Sequence, residues 1–335
     1  MNPEKIETAF SLMEEAIITL QQSLGTSFFD AYIENTENLV DNAKVRVIDQ
    51  QPNEATVTQI EALYQELLAL ELGKEDWRKL TQLMLLKGSK TENLQPNHQL
   101  TPDSIGFLFV FLIEQLTLSK DHPIAILDIA VGMGNLLLTT LINLAVAGYS
   151  VKGVGVDNDE TLLAIAASNS LLMEEEIKLF HQDSLQDLLV DPVDYVIGDL
   201  PVGYYPNDQQ AEKFVTHSEK EHSYAHHLLM EQAMNYVKPD GFGLFLVPSN
   251  FLETEQGPLL QKWLKTEVLL QGIIQLPDDL FKSEHSRKSI LLLQKKGETA
   301  EQVEKVLLVH LPSLKDPAQV TEFFKKFEDW KSSNL

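Results

Sequence analysis

Cysteine is absent from the 335 residues, which excludes a disulfide framework and any thiolate metal site. Long apolar runs are missing as well. The longest, Leu136 to Ala147, is broken by Thr139, Thr140 and Asn143 and is too short to span a bilayer. Met1 to Phe10 places Glu4 and Glu7 where a secretory signal carries basic residues, so a cytoplasmic protein without membrane contact is expected. Positive charge is scarce: 26 Lys+Arg stand against 50 Asp+Glu, a net charge of −24. The imbalance is concentrated in residues 96–260, with 6 basic against 23 acidic side chains (net −17), whereas residues 261–335 are balanced at 12 against 11. Such a field repels phosphate backbones and argues against autonomous nucleic-acid binding.

What is present divides into two rhythms. From Pro3 to about Leu86 apolar residues recur at helical steps, as in Ile6, Phe10, Met13, Ile17 and Leu20, and again in Ile60, Leu63, Leu67 and Leu70. Gly25, Gln51-Pro52-Asn53 and Gly73 punctuate this stretch into four helices, a small bundle suited to stabilising the fold or docking a partner. The polar run Gly88 to His98 reads as a linker, giving a helical domain over 1–90 and a second domain over 98–335.

In the second domain short apolar strands alternate with helices. Strands are expected at Ala125–Val131, Val151–Asp157, Ile177–Asp183, Val193–Asp199, Gly241–Pro248, Val268–Gln275, Ser289–Leu293 and Val306–Leu311. Helices are expected through Ala147 and at Glu160–Met173, Tyr224–Val237, Pro258–Lys265 and Pro317–Trp330. Short continuous apolar runs suit buried parallel strands, so the fold class is α/β with a doubly wound, mostly parallel Rossmann-like sheet. Its ligand belongs at the carboxyl ends of the early strands.

The first strand ends in Asp128-Ile-Ala-Val-Gly132-Met-Gly134-Asn135 and leads into a helix. Glycines at such a turn let backbone approach a ligand, and the helix start offers free N–H groups. A nicotinamide site would want a third glycine where Leu137 stands. Asp128 suits a cationic amino group better than a pyrophosphate. Asp157 closes the second strand, where a carboxylate grips ribose hydroxyls, and Asp183 closes the third, where it can accept from an adenine amino group.

Thr101-Pro-Asp-Ser-Ile, Asp128 to Asn135, Asp157-Asn158, Gln182-Asp183 and Gly198-Asp-Leu-Pro resemble, in order, the successive motifs of the adenine-N6 DNA methylases. Ala225 through Lys296 is similar to the modification subunits of type I restriction systems, through Val237-Lys-Pro-Asp-Gly241, Val247-Pro-Ser-Asn250, Ile274-Gln-Leu-Pro277 and Phe281. The resemblance covers roughly residues 98 to 312. It implies a class I methyltransferase whose cofactor is S-adenosylmethionine, with Thr101, Asp128, Ala130, Gly132, Gly134, Asn135, Asp157, Asn158, Asp183 and Ser184 at the cofactor.

The resemblance places the reaction at Asp199, Leu200, Pro201 and Tyr204. An adenine amino nitrogen is a poor nucleophile, and acceptors on its two hydrogens, from the Asp199 side chain and the Leu200 carbonyl, favour the pyramidal form. Val202 stands where the family has an aromatic that stacks on the flipped base, leaving Tyr204 or Tyr205 to supply the platform if Gly203 folds the loop back. The implied substrate is a nucleic-acid base, DNA ahead of RNA, bound weakly by the isolated chain and reached with a protein partner on the helical domain. Two rivals stay open: a cofactor-binding regulatory module, and a methyltransferase of a protein amide or small molecule. No metal site is expected. His217, His222, His226 and His227 read as a wet loop entering a helix, and Lys282, Arg287 and Lys288 as a solvated loop or a small phosphate contact. Phe323, Phe324, Phe327 and Trp330 read as one packed stripe.

Overall fold

The computed structural model describes residues 2–92, 95–281, 283–311 and 313–335; Lys282 of the basic loop lies outside them. Four helices open the chain: α1 (Pro3–Leu24), α2 (Phe28–Val40), α3 (Glu54–Leu68) and α4 (Lys74–Thr91). Side-chain oxygens of Asn2, Ser27 and Asn53 accept from first-turn N–H groups of α1, α2 and α3. Gly25 ends α1 in the left-handed conformation, at φ 63°. The helix α4 runs on through Gly88, so the expected linker begins inside a helix. A Cβ at Gly88 would come within 2.7 Å of the Phe28 ring; its glycine serves close packing of α4 on α2.

Next come α5 (Asp103–Leu116), which the sequence pattern did not reveal, β1 (Ile124–Asp128), α6 (Asn135–Val146), β2 (Val151–Asp157), α7 (Glu160–Leu172), β3 (Ile177–His181) and β4 (Val193–Asp199). The chain continues through α8 (Asp208–Ala211), α9 (Ala225–Asn235), β5 (Val237–Pro248), α10 (Gly257–Thr266), β6 (Val268–Gln275), β7 (Lys288–Lys295), β8 (Leu307–His310) and α11 (Pro317–Asn334).

The strands form one 8-stranded sheet in the order β3-β2-β1-β4-β5-β7-β6-β8. Neighbours are parallel from β3 to β5, β7 runs antiparallel between β5 and β6, and β8 is parallel to β6. This is the doubly wound, mostly parallel α/β fold expected, with a helical domain at its amino-terminal side. The order reverses between β1 and β4, so the crevice at their carboxyl ends is the natural ligand site.

The bundle is not a detached cap. Its core side chains Tyr32, Tyr64 and Leu85 share one apolar cluster with Met133, Leu138 and Ile142 of the glycine loop and α6, and with Leu162 and Ile165 of α7. At the far side Phe323, Phe324 and Phe327 of α11 gather round Phe111 of α5, with Phe324 stacked on it at 3.9 Å, as a packed stripe should be. Among the described residues no helix is long and apolar enough to cross a membrane.

Candidate active site

The crevice is a cleft of about 280 Å³. It brings together Thr101, Asp128, Ala130, Gly132, Asn135, Asp157, Asn158, Asp183 and Ser184 with Asp199, Pro201 and Tyr204. Gly134 and Leu200 are not in its wall. Gly134, at φ 81°, sits where a Cβ would come 3.1 Å from Cβ of Ala166, so it admits close approach of the loop to α7. The Leu200 side chain is buried, and its N–H donates to the Leu246 carbonyl at 3.2 Å.

β1, β2 and β4 each end in an acid, whereas β3 stops at His181, short of the expected Asp183, which stands two residues beyond it. Asp157 accepts from Gly132 N at 2.8 Å and from Asp159 N at 3.0 Å, tying β2 to the glycine loop. Gly132 has φ 51°, and nothing lies within 4 Å of where its Cβ would be: the loop leaves open space over the cleft. Asp183 accepts from Leu185 N at 3.0 Å and from the Tyr205 hydroxyl at 2.5 Å. Ser184 donates to the Ile129 carbonyl at 2.6 Å.

Asp128 is the most unusual of them. It is 1% exposed; Oδ1 accepts from Ala130 N at 3.2 Å, and Oδ2 has no partner among the described residues. Burial pushes its pKa up to about 8 against the lowering effect of the Ala130 N–H, and the Asp157 and Asp199 carboxylates add to the rise. A buried carboxyl with one orphan oxygen, ringed by negative charge, fits a cation. An ammonium and a sulfonium on one small molecule answer that demand, as S-adenosylmethionine does.

A pH dependence follows. Without ligand the group's contribution to stability is fully present below its ordinary pKa of 3.8 and is lost as pH rises through about 8. A bound cation favours the ionised form, so binding expels a proton and affinity rises as pH climbs toward about 8. Calorimetry in buffers of differing ionisation enthalpy should show that release, and Asp128→Asn should abolish it while weakening binding. Proton-neutral binding by the unmodified chain would contradict this role.

At the end of β4, Asp199 Oδ2 accepts from the Thr101 hydroxyl at 2.9 Å, and Oδ1 receives the Lys288 ammonium. Lys288 lies at the start of β7, opposite Pro248 of β5. The basic loop is therefore not solvated at this point, and Arg287 is engaged too, with Asp278 at 2.8 Å and Glu284 at 3.0 Å. Asn97, which sequence reasoning passed over as linker, clasps the Val202 backbone by donating to its carbonyl at 3.0 Å and accepting its N–H at 3.1 Å. A reciprocal amide clasp leaves no mark in a single sequence beyond an Asn among polar neighbours.

The two tyrosines separate. Tyr205 is buried and committed to Asp183. Tyr204 is 55% exposed at the cleft, stacked on Tyr224 with centroids 5.0 Å apart and planes at 15°. The loop turns at Gly203, φ 144°, whose carbonyl accepts from Ala225 N at 2.9 Å.

The histidines do not form a wet loop throughout. His226 and His227 are buried, with no partner for any ring nitrogen among the described residues, and burial pushes their pKa values down to about 4 and about 3. Their place on the inner face of α9 explains the difference. His222 is exposed and pairs with Asp208 at 2.8 Å.

Comparison with known proteins agrees with this geometry. The model of the N-6 DNA Methylase family matches residues 87–328, and that of the YtxK N-terminal helical domain matches residues 7–89. The chain is 37% identical to the uncharacterized protein YtxK of Bacillus subtilis (strain 168), over 98% of both chains. A crystal structure from Listeria monocytogenes, described as a class I S-adenosylmethionine-dependent methyltransferase, shares 39% identity at a TM-score of 0.89, covering 98% of this chain and 100% of that one. The methyltransferase subunit of a type I restriction-modification system from Streptococcus thermophilus shares the fold at a TM-score of 0.64 and 15% identity, over 98% of this chain and 75% of its own. With more than two thirds of its length inside the family match, the chain belongs to the N-6 DNA methylase family.

Proposed function

We propose that the chain is an S-adenosylmethionine-dependent methyltransferase acting on the exocyclic amino group of a nucleic-acid base, with adenine in DNA as the leading substrate. The observation that carries the reading is Asp199, an acid at the end of β4 in the wall of the cleft lined by Asp128, Asp157 and Asp183. When bound, S-adenosylmethionine supplies a methyl group on a cationic sulfur, and transfer to nitrogen needs in-line placement more than acid–base help. Asp128 would hold the cofactor's ammonium and Asp157 its ribose hydroxyls. Asp199 would accept one amino hydrogen and steady the charge that develops as nitrogen gains the methyl, after which the surplus proton passes to solvent. Tyr204 would stack on the base.

A second reading has an observation of its own. The Lys288 ammonium sits on the Asp199 oxygen that an amino substrate needs, and Val202 replaces the aromatic of the family motif. A protein that binds the cofactor without transferring it would tolerate both. Incubation with methyl-labelled S-adenosylmethionine and extracts of DNA, RNA and protein separates the readings. Label in N6-methyladenine supports base methylation; label in protein alone, or none while cofactor binds, refutes it.

Partner dependence goes with the acidic surface. Residues 96–260 supply the cleft's strand ends and carry net −17, while Arg287 and Lys288 are already paired with carboxylates. Ordinary non-specific duplex binding has a dissociation constant of about 10⁻⁴–10⁻⁶ M and rests on several Lys or Arg contacts to phosphate. The isolated chain should therefore bind duplex DNA no better than the weak end of that range, a basic partner docked on the helical domain supplying the rest. Salt-titrated fluorescence anisotropy checks this, and sub-micromolar affinity with a steep salt slope would contradict it.

A further inference from the structure

Two polar links run from the helical bundle to residues that line the cleft. In the first, the Arg78 guanidinium of α4, only 2% exposed, donates to Asp103 Oδ1 at 2.8 Å and to the Thr139 hydroxyl of α6 at 3.2 Å. The Lys79 ammonium reaches the same Asp103 carboxylate at 2.9 Å. Asp103 opens α5 and stands two residues after Thr101. Thr101 in turn donates to Asp199, and its carbonyl accepts from Asn135 Nδ2 at 2.6 Å. In the second link, the buried Tyr32 hydroxyl of α2 donates to Asn169 Oδ1 of α7 at 2.5 Å, and Asn169 Nδ2 donates to the Met133 carbonyl at 3.3 Å. Met133 lies between Gly132 and Gly134 in the loop over the cleft.

We infer that the helical domain is part of the cofactor-binding apparatus, with Arg78 and Tyr32 as positioning residues that hold Thr101 and the glycine loop in place for S-adenosylmethionine. The inference rests on the reading of the cleft given above and adds a role for the bundle that a cap or a docking platform does not require. The chemistry favours it. The buried guanidinium is anchored by Glu75 of its own helix at 2.7 Å, and its geometry toward the half-buried Asp103 is strict, so α5 cannot slide along α4 without parting Asp103 from both Arg78 and Lys79. The carbonyl of Met133 likewise keeps its orientation only while Asn169 is held. Pocket walls fixed before the ligand arrives spare it the cost of ordering them. Coupling of this kind is reciprocal: if the bundle raises cofactor affinity, the cofactor must steady the bundle by the same factor.

Calorimetry on the full chain tests one direction and hydrogen exchange the other. Arg78→Met should bind S-adenosylmethionine about tenfold more weakly, Tyr32→Phe should lose less, and Arg78→Lys should recover part of the loss. Arg46→Met, which breaks only the exposed pairs with Glu34 and Glu37, should bind as the unmodified chain does. Should Arg78→Met not fold, Tyr32→Phe and the exchange measurement still decide. In the unmodified chain the cofactor should slow amide exchange in α2 and α4 more than in α11, an effect that a purely structural contact would not produce. Undiminished affinity in the folded variants, or exchange slowed no more in α2 and α4 than in α11, overturns the inference. Failure of the unmodified chain to bind would instead refute the reading of the cleft; binding by it isolates the role of the bundle.

Discussion

Asp199→Ala should reduce methyl transfer by about 10²-fold or more while leaving S-adenosylmethionine affinity within about threefold, the loss typical of removing one electrostatic acceptor from a preorganised site. The split follows from the geometry. In the proposed reading Asp199 meets the substrate, and its partners are Thr101 and Lys288, not the glycine loop. Alanine leaves the Lys288 ammonium without its carboxylate, so a drop in stability is expected as well and is to be measured beside the rate. Asp199→Asn retains an oxygen that accepts from an amino group and should keep part of the activity. Single-turnover rates with saturating cofactor check the series. Transfer that survives Asp199→Ala unchanged would place the reaction elsewhere.

Asp157→Ala should weaken cofactor binding by about 2–4 kcal/mol, since charge-assisted acceptors are the strong kind and a ribose presents two hydroxyls to one carboxylate. That range corresponds to about 30- to 1000-fold in the dissociation constant. The structure gives the substitution a second route to the same result. The Asp157 carboxylate also accepts from Gly132 N, so alanine releases the glycine loop as well as the ligand. Asp157→Asn separates the two, because its amide oxygen still accepts from Gly132 while the charge is gone. Undiminished affinity in a folded Asp157→Ala protein would contradict the assignment.

Much of this was legible in the residues because β1, β2 and β4 announce themselves twice, by an apolar run and by the acid that ends each: Asp128, Asp157 and Asp199 all close strands. The four bundle helices were legible through the apolar steps of α1 and α3 and the residues that punctuate them, Gly25, Gln51-Pro52-Asn53 and Gly73. Where local pattern and burial part company, reading failed. The helix α5 is apolar on nearly every face because α6 covers one side and the phenylalanines of α11 another, so it carries no periodic stripe. Gly88 looked like a breaker but lets α4 lie on the Phe28 ring. His226 and His227 read as a wet loop together with His217 and His222, whereas their neighbours Leu228 and Leu229 marked the buried face of α9. The Lys288–Asp199 pair had no sequence signature, because only the antiparallel insertion of β7 beside β5 brings the two residues to one strand end. Strand direction is a tertiary property.

The measurement that bears most directly on the central claim, a cleft built for S-adenosylmethionine, is calorimetric titration of the unmodified chain with that cofactor. The account predicts saturable 1:1 binding, a buffer-dependent heat that reports proton release from Asp128, and a large loss in Asp157→Ala. Absence of saturable binding by the folded chain, or binding that Asp157→Ala and Asp128→Asn leave untouched, would contradict it.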